Sequence, residues 1–163
     1  MPIVSGDLKL YLTGGAANDE PFLSLGGVTS SVLFINDEIR NLFEDVTPAE
    51  AAAGSVKYRA LAFKNTSVFT AYAASVFINL ETVSPDTTIA LAYDSVGTQS
   101  IVDEDTAPVG LSFSAPLSLA TAIALGDVPA SGQARIWFRR TVDASAAQYA
   151  DEGSITITVG NAP

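Results

Sequence analysis

The stretch GQARIWFRRTV, residues 132–142, holds the only tryptophan of the chain, Trp137, and three of its eight basic residues, Arg135, Arg139 and Arg140. Tryptophan and arginine are the side chains most enriched at binding hot spots, so this cluster is the first place to look for recognition chemistry. Read as a strand, the stretch puts Ile136, Phe138, Arg140 and Val142 on one face and Arg135, Trp137, Arg139 and Thr141 on the other. Two readings follow. In one, the strand is central, Ile136 and Phe138 enter the core, and Trp137 lies on the outer face between Arg135 and Arg139 with arginine stacked on its ring. In the other, Trp137 with Arg135, Arg139 and Arg140 anchors an interface whose counter-charge comes from the acidic residues of 37–45 or 143–152. The second acidic feature is Asp103-Glu104-Asp105, three carboxylates that could hold a hard cation through oxygen. It lacks the central glycine and terminal glutamate of a calcium-binding helix-loop-helix frame, so a solvated loop is the simpler expectation, and no metal or other cofactor is expected.

Other chemistry is excluded by composition. The 163 residues include no cysteine and no histidine, which removes thiol nucleophiles, disulfides, Ser-His-Asp triads and histidine-based zinc sites. A two-carboxylate hydrolase needs two acids facing across a cleft. Eighteen acids always offer some such pair, and Asp19-Glu20, Asp37-Glu38 and Asp151-Glu152 have no spacing that singles them out. The glycine pairs 14–15 and 26–27 stand in no phosphate-loop frame and read as turns. The chain is expected not to be an enzyme. Its net charge of −10 opposes binding to nucleic acid or to an anionic membrane. That charge is uneven: residues 1–54 carry eight acids and two bases, residues 55–142 seven and six, and residues 143–163 three and none. The opening MPIVSGDLKLYL has neither a basic nor a long apolar region, so no signal peptide is expected, and no apolar run is long enough for a transmembrane helix.

The elements that would position these residues are short alternating runs separated by turns, the pattern of an all-β protein. In DLKLYLT, Leu8, Leu10 and Leu12 share one face. Further strands are predicted at 31–36, 55–65, 73–80, 87–94, 109–114, 117–124, 134–142 and 154–160. The fold class expected is an antiparallel β-sandwich, jelly-roll or immunoglobulin-like, forming one domain over 1–163 with 1–6 as a possible N-terminal arm. A short helical segment near 38–53 breaks the pattern. Ile39, Leu42, Phe43 and Val46 have helical spacing, and Thr47-Pro48-Ala49-Glu50 followed by Gly54 reads as a capping box, a first-turn proline and a stop. Ile39, Leu42 and Phe43 join the Trp137 cluster as candidate interface residues.

SGDLKLYLTGGA at the start, NLFEDVTPAEAAAGSVKYRALAFKN (41–65), EDTAPVGLSFSAP (104–116), IALGDVPASGQARIWFRRTVDASAA (123–147) and the terminal SITITVG together resemble a group of small structural proteins of tailed bacteriophages. The resemblance spans most of the chain in order. It implies a virion component, foremost a head decoration (cement) protein: a β-sandwich on the outer surface of the capsid, often a homotrimer, with the major capsid protein and copies of itself as partners. It implies synthesis in the bacterial cytoplasm and no catalytic residues. The alternative is a tail- or fibre-associated sandwich that binds host-surface glycans through aromatics such as Tyr11, Tyr93, Trp137 and Tyr149.

Overall fold

The computed structural model describes residues 3–35, 41–81, 83, 86–147 and 152–160. Eight strands form in chain order: β1 (Leu8–Thr13), β2 (Thr29–Leu33), β3 (Ser55–Asn65), β4 (Ala71–Glu81), β5 (Thr87–Asp94), β6 (Ile123–Val128), β7 (Gln133–Val142) and β8 (Gly153–Gly160). One α-helix, α1 (Pro48–Ala53), precedes β3. Every pairing is antiparallel, and the strands make an all-β sandwich of two sheets, β2-β1-β3-β7-β5 and β6-β4-β8. From β3 to β8 each connection carries the chain from one sheet to the other. This order differs from the four-plus-three order of an immunoglobulin constant domain.

The main core lies between the sheets. Leu12, Leu61, Phe63, Leu91, Ile136 and Phe138 of the larger sheet meet Ala74, Val76, Ile78, Leu125 and Val128 of the smaller one. These positions alternate along β3, β4 and β7, which is why period-two reading found them, while in β6 the irregularity at Gly126 puts Leu125 and Val128 three apart. The two central strands depart from simple alternation. Residues 134–138 of β7 and 59–63 of β3 are buried on both faces. A third layer of loops explains this: Ile101, Leu111 and Phe113, with Tyr58 of β3 beside them, cover a second small core of Ala60, Ala92 and Trp137 on the far side of the larger sheet.

The predicted strand at 109–114 is absent as a strand because its side chains serve that layer. Leu111 and Phe113 pack toward Trp137, and only Ser114 bridges to Leu91. The predicted strand at 117–124 begins instead at Ile123, after a short 3-10 turn at Leu119–Thr121.

The helical segment is shorter than the 38–53 expected. Residues 36–40, and with them Ile39, lie outside the described residues. Leu42 and Phe43 are not helical, and the helix occupies Pro48–Ala53. Pro48 disfavours helical backbone at the residue before it, so a helix cannot run from the 41–46 segment into α1. Phe43 is instead drawn over the guanidinium groups of Arg59 and Arg140, 5.6 and 5.0 Å from its ring centre. The cap of α1 forms as its sequence implies. Thr47 Oγ1 accepts from the Glu50 N–H at 3.2 Å, Glu50 Oε2 accepts from the Thr47 N–H at 2.7 Å, and Gly54 ends the helix at φ +79°.

At the N-terminus, Ser5–Asp7 form a 3-10 turn, and Ile3 packs half-buried against the main core. The carbonyl of Asp7 accepts from the Thr66 N–H at 2.7 Å, tying this described part of the arm down.

Candidate functional site

Trp137 lies on the outer face of the larger sheet, as the central-strand reading expects, but loops cover that face and bury the ring, and Arg139 lies over Phe113 instead of over the indole. Trp137 is fully buried within the single chain, between Ala60 of β3 and Ala92 of β5, which lie directly opposite it across the sheet. Two alanines flank it because an indole needs the width that larger neighbours would fill. Gly26 closes the loop over the ring. It has φ +84°, and a Cβ there would meet the Gln99 carbonyl oxygen at 2.2 Å and the indole at 2.6 Å, so no other residue fits without moving the loop. Trp137 Nε1 has no hydrogen-bond partner among the described residues.

The arginines beside it are also spent inside the chain. Arg135 is buried, and its Nη2 donates to the Gly27 carbonyl at 2.9 Å and to Thr29 Oγ1 at 3.1 Å. Burial pushes its pKa down, opposed in part by the charge of Asp94, which sits opposite it in β5. Arg139 lies half-buried over Phe113, 5.3 Å from the ring centre. Arg140 donates from Nη1 to the Glu44 carbonyl at 2.6 Å and stacks on Phe43. Leu42 and Phe43 pack half-buried against the main core. The acidic 37–45 segment therefore does meet this basic strand through Glu44, but within one chain and through a backbone oxygen.

Sequence reasoning missed the strongest electrostatic feature. At the end of the sandwich capped by α1, Lys57 Nζ lies 2.5 Å from Glu50 Oε1 and 2.7 Å from Glu104 Oε1, and Arg59 Nη2 pairs with Glu104 Oε2. Lys57 and Arg59 are 7% and 1% exposed. Burial alone would raise the Glu50 carboxyl, but hydrogen bonds from Lys57 and from Thr47 outweigh it and hold the pKa down at about 2. Burial likewise opposes ionisation of Glu104, yet Lys57 and Arg59 hold it below the usual carboxylate range. The Lys57 ammonium, penalised by burial, ends above the ordinary lysine value because Glu104 and Glu50 both accept from it. The signal available in sequence was the pair Lys57 and Arg59 on the core-facing row of β3. Two bases on a buried row require counter-ions.

This pairing decides the chemistry of the three-acid loop. Glu104 turns inward as a counter-ion, while Asp103 Oδ1 accepts from the Asp105 N–H and from Thr106 Oγ1, at 3.2 and 2.7 Å, as a capped turn. Among the described residues no group of three potential ligands converges on a metal position.

Among the described residues, one shallow depression is lined by Asn79, Glu81, Thr87 and Leu117 and another by Glu50, Gly54, Val56 and Asp105. Glu81 Oε1 accepts from the Ile89 N–H at 2.7 Å, and Glu50 is bound to Lys57, so both glutamates are committed to structure, while Asp105 stands exposed at the rim of the second depression. Of the aromatics considered for glycan stacking, Tyr11 and Tyr93 are half-buried, Trp137 is covered and Tyr149 lies outside the described residues.

Fold and site together define an all-β antiparallel sandwich in which Lys57 and Arg59 are ion-paired with Glu50 and Glu104. Compared with known proteins, the chain matches no family model, no characterised protein and no solved structure.

Proposed function

We propose that this chain is a non-enzymatic structural protein of a tailed-bacteriophage virion, a head decoration protein that binds the outer capsid surface and stabilises it. The observation that carries the structural half of this reading is the commitment of its interior ionisable groups. Glu50, Lys57, Arg59 and Glu104 bind one another at one end of the sandwich instead of converging on a cleft. The virion half rests on the sequence resemblance that runs in order through most of the chain. The proposed partners are the major capsid protein and further copies of this chain. Many weak identical contacts on one shell become strong through multivalency.

Antibody raised against the purified chain and applied to phage particles in the electron microscope tests this. Label spread over the heads is the expected result. Label at the tail tip, together with binding on a glycan array, transfers the chain to a tail-associated recognition role. Particles without label overturn the virion assignment.

A further inference from the structure

Four strand edges bound the two sheets, and three of them are guarded. β2 is only five residues long and its Ser31 N–H is taken by the Ala16 carbonyl at 3.0 Å. β5 is bridged from outside by Ser114, with Leu91 and Ser114 exchanging bonds of 2.7 and 2.9 Å. β6 is broken by Gly126 at φ +76°, where the register with β4 shifts, and carries Asp127. Among the described residues, the fourth edge, β8, carries none of these devices on its own strand: its register with β4 shifts twice, each time by an extra residue in β4. Gly153–Gly160 reads GSITITVG, eight residues with no charge, no proline and β-branched side chains at every position from 155 to 159. Among the described residues, backbone pairing reaches β8 only from β4. A long, neutral, unguarded edge is a template for pairing with another strand.

We propose that β8 is a self-association edge, where the β8 strands of two copies pair antiparallel about a two-fold axis and join the two small sheets into one. Three observations select a second copy as the occupant. First, the strand is self-complementary. A two-fold axis perpendicular to the sheet keeps each face on its own side, so the inward row Ile155, Ile157 and Val159 must meet the same row of the partner, and Thr156 and Thr158 must meet threonine. Centred on Ile157, this register sets Ile155 opposite Val159 and Thr156 opposite Thr158, both favourable cross-strand pairs. Second, charge selects the antiparallel direction. The sequence before the strand is acidic at Asp151 and Glu152, and the sequence after it, Asn161 to Pro163, carries no charged side chain. Antiparallel pairing keeps the acidic entries of the two strands at opposite ends of the joint, whereas parallel pairing would set acid against acid in a molecule of net charge −10. Third, the inward row is only half-buried. Ile155, Ile157 and Val159 flank the main core at the rim of a three-stranded sheet that faces a five-stranded one, as do Leu8, Leu10 and Val32 of the larger sheet. A further strand beside β8 covers that rim. Isologous pairing also uses up both edges, so it closes at a dimer instead of growing into a fibre.

The test is light scattering of the purified full chain over a dilution series, beside Thr156→Lys and Ile157→Cys. The expected result is a concentration-dependent dimer. Thr156→Lys, an outward-facing change with the guard residue that edge strands normally use, weakens it at least ~tenfold while leaving the circular dichroism unchanged. Because the chain has no cysteine of its own, Ile157→Cys reports register directly: on mild oxidation it forms a covalent dimer, and the same substitution at the distant exposed Val96 does not. A monomer at every concentration, a dimer indifferent to Thr156→Lys, or a trimer indifferent to it overturns the proposal. If Thr156→Lys fails to fold, crosslinking through Ile157→Cys decides alone, and failure to crosslink overturns it.

Discussion

Trp137 and Glu104 show two ways a residue that looks functional is consumed by the fold. Trp137 fills a slot whose walls are Ala60, Ala92 and Gly26. Removing it leaves a large cavity, and Trp137→Ala is expected to cost about 3–5 kcal/mol, read as a shift of the denaturant midpoint. Loss of self-association without loss of stability would instead return Trp137 to an interface. Glu104 serves two bases at once, so Glu104→Gln leaves Arg59 buried without its counter-ion. Breaking a fully buried pair costs about 3–5 kcal/mol. Glu104 keeps 26% of its side-chain surface, so about 2–3 kcal/mol is expected from chemical denaturation. The neighbouring Asp103→Asn, exposed and still able to accept through Oδ1, should stay within about 0.5 kcal/mol. Equal effects of the two substitutions would dismiss the distinction between counter-ion and loop acid.

At the scale of elements, α1 is a capped single unit whose sequence carries its own start and stop. Thr47→Ala removes the oxygen that accepts from Glu50 and is expected to cost about 1 kcal/mol. Amide exchange should localise the effect, with protection falling at Ala51 and Gly54, whose N–H groups bond to the Thr47 and Glu50 carbonyls. The 41–46 segment illustrates the opposite case. Leu42, Phe43 and Val46 have helical spacing, but Phe43 finds two guanidinium groups to lie on, and Pro48 blocks the helix behind it. Periodicity records which residues are apolar and cannot record what they pack against. The same limit explains 109–114, whose alternation is real but serves a covering loop.

For the whole molecule, the charge cluster makes stability depend on pH with a definite sign. Glu50 and Glu104 have folded-state pKa values below their unfolded ones, so their contribution is complete above the ordinary glutamate range near ~4.3 and is lost as pH falls through the folded values, about 2 for Glu50. Lys57 is raised, so its contribution is complete below about 10.4 and disappears as pH climbs through its higher folded value. The melting temperature is therefore expected to fall steeply below about pH 4. It should fall again in strong alkali. Glu104→Gln should flatten the acid limb, and an acid limb of unchanged slope in that variant would remove Glu104 as its source.

The sequence by itself determined the fold class, most strand positions, the cap of α1 and the exclusion of cysteine and histidine chemistry. These are properties of composition or of residues within a few positions of one another, because alternation and capping are local. Tertiary structure decided the rest. Arg59 meets Glu104 across 45 residues and Arg140 meets the Glu44 carbonyl across 96. Those meetings depend on strand order and on which loops cover the outer face of the larger sheet, and nothing local encodes either. The same long-range order turned Trp137 from an open alternative into a core residue, and it left β8, an ordinary alternating strand in sequence, at an unguarded edge.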